Sequence, residues 1–169
     1  MSRLSFSSSC EGVNLKPLVT FRDFAAADAV EITLQRSQHV EAGLYRPVAS
    51  IDEAHDLEQA GPAFTAIGRD GRILACCGIY TTFRNDAGDP VQGNIWALLA
   101  EGIGAAHLQI TRYCRKRLFA LPYRRLEAIV KAEDRECTWA RLGGLLPMAV
   151  LDNWGAASET HILYARLRP

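Results

Sequence analysis

The sequence predicts an α/β domain of the α+β kind, with helices on both faces of a mixed, mostly antiparallel sheet of about six to seven strands. Two observations lead to this prediction. An apolar hairpin pattern surrounds Asp70-Gly71, and a strand, a glycine-bearing turn and a long helix follow one another over residues 91–121. The hairpin requires antiparallel pairing, whereas the strand–helix unit leads to a parallel neighbour, so the sheet is mixed.

The composition is that of an ordinary folded domain. The chain has 169 residues, of which 49% are hydrophobic and 22% charged, and its 19 basic and 19 acidic residues give a formal net charge of zero. This balance predicts neither nucleic acid nor a membrane surface as a partner. The five cysteines show no metal-ligand spacing, and their odd number in mostly apolar contexts favours reduced thiols in a cytoplasmic protein.

The chain is expected to form one domain. Residues 1–14 are rich in serine and contain no apolar segment, so we interpret them as a flexible N-terminal arm. Residues 15–169 contain neither an internal repeat nor a long linker, and they predict a single domain.

The first half of the chain predicts helices around one hairpin. Ser50 and Glu53 have the spacing of a capping box, so a helix begins after Ser50. Asp70-Gly71 is the dipeptide of tight primed turns, and the arm after it is apolar enough for a central strand covered on both faces. The expected elements are a strand over residues 15–24, helices over 25–34, 38–44 and 51–60, and hairpin arms over 64–67 and 73–82; residues 30–34 also alternate like a strand.

The second half predicts a strand–helix–strand crossover, then a helix and two last strands. Ile103, Ile110 and Leu118 belong to an apolar stripe that recurs every three or four residues, as on one helix face. The expected elements are strands over residues 91–99, 126–130, 145–151 and 160–167, a long helix that ends at residue 121, a helix over 133–142, and a loop around residues 153–155.

The turn before the long helix has the features of an anion site. Gly102 and Gly104 permit positive φ and let a ligand approach the backbone. The following helix start presents free N–H groups and the positive end of the helix dipole, which suit phosphate or pyrophosphate. Two glycines are equally compatible with a turn that binds nothing, and the residues alone leave both interpretations open.

The order of the elements and four motifs resemble the GNAT-type acyl-CoA N-acyltransferases, most closely the acetyltransferase-like proteins of tailed phages and prophages. The resemblance covers the chain from about residue 18 to the C-terminus. Its motifs are the strand at residues 95–99, the glycine turn with its helix, and the segments 122–128 and 139–145.

The resemblance implies a splay between the fourth and fifth strands, with acetyl-CoA as the co-substrate and no metal. An extended ligand can pair with a free strand edge, so the pantetheine arm would face the end of the fourth strand, and the turn would hold the pyrophosphate. The implied contacts are Ala97, Leu98 and Leu99 for the pantetheine, and Gly102, Ile103, Gly104, Ala105 and Ala106 for the pyrophosphate, with Asp134 where the family often has asparagine.

Three positions depart from the family pattern, Asp134 among them. Glu101 stands where one alignment of the turn has glutamine or arginine, and a carboxylate there repels a pyrophosphate unless it turns away. The other alignment places Leu99 at that position. Ala140 stands where many members have the tyrosine that protonates the departing thiolate, so the usual acid is missing.

Glu101 and Tyr80 are the candidate catalytic residues. Acyl transfer to an amine needs a base, and Glu101 lies where co-substrate and acceptor would meet, although a carboxylate at a helix start also stabilises the helix. Tyr80, near the end of the hairpin arm, either reaches the cleft or packs as an ordinary aromatic, and His107 faces either phosphate or solvent. A cysteine–histidine nucleophile built on Cys76 or Cys77 is a different chemistry, which no flanking motif supports.

Two functions follow from the resemblance. The first is transfer of an acetyl group from acetyl-CoA to an unidentified primary amine of a small molecule or protein, by direct attack in a ternary complex, in a protein that could form a homodimer. The alternative is a catalytically weak or inactive GNAT-like structural or interaction protein of phage or prophage origin. The three altered positions favour the alternative, and the glycine turn favours the enzyme.

Overall fold

The computed structural model describes residues 18–38, 50–155 and 157–168, and these residues form seven strands and four helices. The predicted arm over residues 1–14 and nearly all of the predicted helix over residues 38–44 lie outside the described residues. The elements are β1 (Val19–Asp23), α1 (Ala26–Glu31), α2 (Ile51–Ala60), β2 (Ala63–Gly68), β3 (Ile73–Arg84), β4 (Pro90–Leu99), α3 (Ala106–Ala120), β5 (Arg125–Lys131), α4 (Asp134–Leu142), β6 (Leu146–Trp154) and β7 (Glu159–Leu167).

One sheet contains all seven strands, in the order β1-β2-β3-β4-β5-β7-β6. Every neighbouring pair is antiparallel except β4 and β5, which are parallel and joined through α3. The first seven residues of β3 are all buried. Because successive strand residues point to opposite faces, the sheet is covered on both sides there. The predicted mixed, mostly antiparallel sheet is therefore confirmed.

The capping box at the start of α2 is confirmed in both directions. The Ser50 hydroxyl accepts a hydrogen bond from the Glu53 N–H at 3.2 Å, and the Glu53 carboxylate accepts one from the Ser50 N–H at 2.8 Å. These two bonds satisfy donors that a helix start otherwise leaves unpaired. The helix runs to Ala60, as the following Gly61-Pro62 predicts.

The predicted tight turn at Asp70-Gly71 is wrong in detail. A two-residue primed turn of type I′ needs positive φ at both central residues. Here Gly71 has φ of 82°, while Asp70 is not among the described residues with positive φ. The Gly68 N–H donates to the Arg72 carbonyl at 2.9 Å, so the strands are joined by a wider loop over residues 69–72. The hairpin itself is as predicted.

No helix in the described part of the chain is long and apolar enough to cross a membrane. The largest apolar cluster lies around β1, β2, β3 and the start of α3, a second joins β5, α4 and β7, and a third joins Ile79 of β3 to Tyr123 and Leu126. The gap between these groups of strands, at β4 and β5, is where the candidate site lies.

Candidate functional site

The parallel strands β4 and β5 are paired over only three positions, from Gln92 with Arg125 to Asn94 with Glu127. Beyond Asn94, β4 continues to Leu99 paired with β3 alone, and β5 continues to Lys131 paired with β7 alone. The two strands therefore separate toward their carboxyl ends. The splay expected between the fourth and fifth strands is present.

A cavity of about 150 Å³ lies in this gap. Strands β4 and β5 and helices α3 and α4 supply its walls, which are mostly apolar. The polar side chains that reach it include Gln35, Gln38, Thr111 and Glu136. The apolar lining includes Ile95, Ala97, Leu118, Ala128, Ala140 and Leu145.

The edge of β4 that faces the gap is occupied by the Gln38 side chain. The Ala100 N–H donates to the Leu74 carbonyl of β3, and because hydrogen-bonding direction alternates in an antiparallel pair, Leu98 also faces β3, whereas Ala97 and Leu99 face the gap. Gln38 Nε2 donates to the Ala97 carbonyl at 2.7 Å, and the Leu99 N–H donates to Gln38 Oε1 at 2.6 Å. No motif in the sequence predicts this role for Gln38.

The turn between β4 and α3 presents a run of unpaired backbone donors. Gly102 and Gly104 have φ of 69° and 48°, a region that favours glycine. Among the described residues, none accepts a hydrogen bond from the N–H groups of Gly102, Ile103, Gly104 or Ala105. The Ala106 N–H, by contrast, donates within the turn to the Ile103 carbonyl at 3.1 Å. Four consecutive free donors beside a helix start have the geometry of an anion site.

An open cleft of about 570 Å³ adjoins this turn, between the starts of α3 and α4. Gly104, His107, Asp134, Arg135 and Trp139 are among its lining residues. Asp134 and the glycine turn therefore lie at the same cleft. Burial, and then the charge of Arg135, lower the pKa of His107. The fixed positive charge in the cleft is therefore that of Arg135.

Helices α3 and α4 are tied together beside this cleft. Trp139 Nε1 donates to Thr111 Oγ1 at 2.8 Å, and the Thr111 hydroxyl donates to the His107 carbonyl at 2.8 Å. The Trp139 and His107 rings lie 5.5 Å apart. Trp139 lines both the cavity in the gap and the open cleft, so these contacts hold in place a side chain that the two spaces share.

Glu101 lies in the turn but directs its carboxylate away from the free donors. Its N–H donates to the Thr33 carbonyl at 3.1 Å, and its carboxylate accepts from the Arg36 N–H at 3.3 Å. It lines neither the cavity nor the cleft. This orientation removes the repulsion that the sequence raises, and it also takes Glu101 out of direct reach of the gap.

Tyr80 is half exposed and lies beside the point where β4 and β5 part. Its partner across the strands is Asn94, the last β4 residue that pairs with β5. Because side chains alternate along a strand, Tyr80 and Asn94 lie on the face opposite to Ile95, which lines the cavity. Tyr80 is therefore at the closed end of the gap, on the other side of the sheet.

The only carboxylate among the described side chains that line the cavity is Glu136, which the sequence analysis also missed. Its Oε2 atom is buried and has no hydrogen-bond partner in the described structure. Glu136 lies one turn before Ala140, on the same face of α4, and both reach the cavity. The helical spacing of residues 136, 139 and 140 is the sequence signal that could have identified it.

The buried cysteines are not arranged as nucleophiles. Contact with Cys114 and burial raise the pKa of Cys77 well above its usual range, and burial raises the pKa of Cys76 to about 12. A thiol nucleophile needs a lowered pKa. In the part of the chain that the structure describes, no group of His, Cys, Asp and Glu side chains is placed to hold a metal ion.

No protein-family model and no curated protein matches this chain. Solved structures do match in fold. A GNAT superfamily phosphinothricin acetyltransferase from Sinorhizobium meliloti, in complex with acetyl-CoA, is 17% identical with a TM-score of 0.70, and the match covers 89% of this chain and 89% of that one.

Two further matches have the same fold. The ribosomal-protein-S5-alanine acetyltransferase from Vibrio fischeri is 14% identical, with a TM-score of 0.62 over 91% of this chain and 97% of that one. A variant of spermidine N-acetyltransferase from Vibrio cholerae is 14% identical, with a TM-score of 0.61 over 89% and 94%. These matches show a shared overall fold: the chain has the fold of the GNAT acetyltransferases.

Proposed function

We propose that this protein is an acetyl-CoA-dependent N-acetyltransferase that acts on a primary amine. The observation that supports the proposal most is the coincidence, at one end of one sheet, of a gap between parallel strands and a turn with four free N–H donors. A diphosphate needs several converging donors, and an amide-bearing chain needs a free strand edge. The gap and the four donors lie within one strand length of each other here, and among the described residues the edge of β4 in the gap is paired only with residues 35 and 38 of the same chain, not with another strand of the sheet.

In this proposal the co-substrate lies along the gap from the cleft to its closed end. The donors at residues 102–105 bind the pyrophosphate, with Arg135 as the nearby positive charge and Asp134 at the cleft wall. Ala97 and Leu99 pair with the pantetheine arm through their backbone groups, and the apolar cavity wall excludes water from the thioester. Leu98, whose backbone faces β3, contributes only through its side chain.

The reaction is attack of the amine nitrogen on the thioester carbonyl, which forms an amide, releases the CoA thiolate and requires a base for the ammonium proton. Tyr80 and Glu101 are the proposed proton-transfer residues. Tyr80 is half exposed beside the closed end of the gap, whereas Glu101 directs its carboxylate to the Arg36 N–H, so the geometry supports Tyr80 more than Glu101.

The acceptor is a small-molecule or protein amine. The net charge of zero gives no support for nucleic acid or a membrane as a partner. Exposed apolar side chains on the edge strand β6, such as Leu146 and Val150, are compatible with a homodimer. We propose a cytoplasmic location on the free thiols at Cys76, Cys77, Cys114 and Cys137.

Titration with acetyl-CoA by calorimetry tests the proposed co-substrate. We expect binding by the unchanged protein and at least about ten-fold weaker binding by Gly104→Glu, since the new carboxylate faces the anion. Gly88→Glu is the matched control, because Gly88 also has positive φ, at 85°, open space around it and a place in a distant loop. Equal loss in both variants, or no binding by the unchanged protein, would contradict the proposal.

The second candidate is a catalytically weak or inactive GNAT-like interaction protein of phage or prophage origin. The observations that favour it are Ala140 at the position of the usual acid and the Gln38 side chain on the strand edge that the pantetheine needs. Acetyl-CoA binding without release of thiol in the presence of any amine in a panel of polyamines, amino acids and lysine peptides would support this candidate over the enzyme.

A further inference from the structure

Residues 33–38, which we name the strap, run along the free edge of β4. The Glu101 N–H donates to the Thr33 carbonyl at 3.1 Å, and the Gln35 N–H donates to the Leu99 carbonyl at 2.9 Å. Leu34 and Ala100 form an isolated antiparallel bridge. The strap therefore continues the sheet for a short distance at the open end of the gap.

Gln38 extends this pairing with its side chain into the gap. Its carboxamide both donates to the Ala97 carbonyl, at 2.7 Å, and accepts from the Leu99 N–H, at 2.6 Å. One residue of a parallel neighbouring strand would make the same two bonds, one with its N–H and the other with its carbonyl. The Gln38 carboxamide thus takes the position that an amide of an extended ligand would take, and it also lines the cavity.

We propose that Gln38 is an intramolecular competitor for the amide-bearing arm of the ligand, and that its carboxamide must leave β4 before that arm can pair there. The inference rests on the proposed function, because it names acetyl-CoA as the ligand that carries the arm. In this proposal Gln38 sets the affinity for the ligand. The strap has a closed state, in which the Gln38 carboxamide is bound to β4, and an open state, in which that edge of β4 is free to pair with the ligand.

The competition is strict at Leu99. A backbone N–H has one proton, and at 2.6 Å that proton is fully engaged by Gln38 Oε1. The Ala97 carbonyl has two lone pairs, so it alone would not force a choice. Because the ligand binds only the open state, its apparent dissociation constant is the intrinsic one divided by the open fraction.

The free donors of the glycine turn do not depend on Gln38. None of the N–H groups at residues 102–105 contacts the strap, and the nearest link is the Glu101 N–H bond to Thr33. Ligands that carry the amide-bearing arm should therefore depend on Gln38, and ligands without the arm should not. ADP carries a diphosphate without the arm, pantetheine carries the arm without phosphate, and acetyl-CoA carries both. Only the last two compete with the Gln38 carboxamide.

The test is calorimetric titration of the unchanged protein, Gln38→Ala and Ser37→Ala with acetyl-CoA, pantetheine and ADP. Ser37 is the control because it is an exposed neighbour in the strap with no side-chain hydrogen bond in the described structure. With two neutral hydrogen bonds removed from the closed state, we expect Gln38→Ala to bind acetyl-CoA and pantetheine roughly 3- to 30-fold more tightly. Binding of ADP should change less than about two-fold.

Amide hydrogen exchange without ligand provides a readout independent of the ligand. The Leu99 N–H should exchange at least about ten-fold faster in Gln38→Ala than in the unchanged protein or Ser37→Ala, since its acceptor is gone.

The outcomes separate the two proposals. Acetyl-CoA binding by the unchanged protein with equal or weaker binding by Gln38→Ala overturns the competition and leaves the proposed function standing. Tighter binding of acetyl-CoA and pantetheine by Gln38→Ala than by the unchanged protein and Ser37→Ala, with ADP binding unchanged, supports the competition. Absence of acetyl-CoA and pantetheine binding in all three proteins overturns the proposed function, and with it the role of Gln38 toward this ligand.

Discussion

Asp28 is the residue on which the attachment of α1 to the sheet depends. Its carboxylate accepts two hydrogen bonds from Arg22, at 2.7 and 2.5 Å, one from the Thr65 hydroxyl at 2.6 Å and one from the Ala25 N–H at 3.0 Å. Burial alone would raise the pKa of Asp28, but these hydrogen bonds outweigh burial and lower it. A buried carboxylate with four donors is a stable charge rather than a catalytic one.

Replacing Asp28 tests this role. Asp28→Asn should lower the free energy of unfolding at pH 7 by about 1–3 kcal/mol, because charge-assisted bonds are lost. Asp23 is exposed and provides the control, so Asp23→Asn should change the free energy of unfolding by less than about 0.5 kcal/mol. Denaturant unfolding followed by circular dichroism measures both.

The pH dependence has a defined sign. Because the folded pKa of Asp28 is lowered, its stabilisation is fully present above the unfolded pKa of about 3.9 and is lost as the pH falls through the lower folded value. The difference in stability between the unchanged protein and Asp28→Asn should therefore shrink in acid. A difference that stays constant between about pH 7 and pH 2 would contradict this account.

Tyr80 is the residue to replace for the chemistry. Tyr80→Phe should lower kcat about 100-fold with little change in KM for acetyl-CoA, if its hydroxyl transfers a proton at the closed end of the gap. Tyr113→Phe is the control, because the Tyr113 ring stacks on Phe21 away from the gap. Thiol release with an accepted amine is the measurement, and an unchanged kcat in Tyr80→Phe would remove this role.

Two residues of the site could not be predicted from the sequence, for physical reasons. Gln38 contacts backbone atoms 59 and 61 residues away in the chain, and no local pattern encodes such a contact. The sequence places Glu136 on one face of α4, but whether its carboxylate faces the cavity depends on how α4 packs over the gap. The glycine turn was predictable because positive φ favours glycine wherever the turn occurs.

At the scale of elements, the unit β4–turn–α3 carries the site. Its strand and helix follow from apolar patterns that are local in sequence, and the observed ends differ from the expected ones by a few residues. The ambiguous stretch over residues 30–34 has a structural explanation: α1 ends at Glu31, and Leu34 then pairs with Ala100 like a strand residue. The hairpin was predicted and its turn was not, because loop length depends on strand register rather than on one dipeptide.

Gly93 keeps β4 close to its neighbours where the gap begins. It lies in the middle of the three pairs that join β4 and β5, and a Cβ there would lie 2.4 Å from Ile79 Cγ2 and 3.0 Å from the Tyr80 carbonyl oxygen. Gly93→Ala should lower the free energy of unfolding by about 1–3 kcal/mol through overpacking. Denaturant unfolding measures this, and a variant as stable as the unchanged protein would show that the strands can shift to admit the methyl group.

At the scale of the whole molecule, the sheet fixes where chemistry can occur but not on which acceptor. Three of the structures with this fold are named for phosphinothricin, a ribosomal-protein alanine and spermidine, and a shared fold therefore does not identify the acceptor. In this chain the Gln38 side chain occupies the gap-facing edge of β4, and Ala140 lines the cavity. In the proposed function, both would affect how strongly the gap binds acetyl-CoA and how fast the bound thioester reacts.

The central claim is that the donors of the glycine turn and the gap-facing edge of β4 together bind acetyl-CoA. The most direct measurement is a two-dimensional amide NMR titration of the full chain with acetyl-CoA. The account predicts the largest shift changes at the N–H signals of Gly102, Gly104 and Leu99, with smaller changes along β6 and β7. Binding that leaves these three signals unmoved, or shift changes confined to another surface, would contradict it.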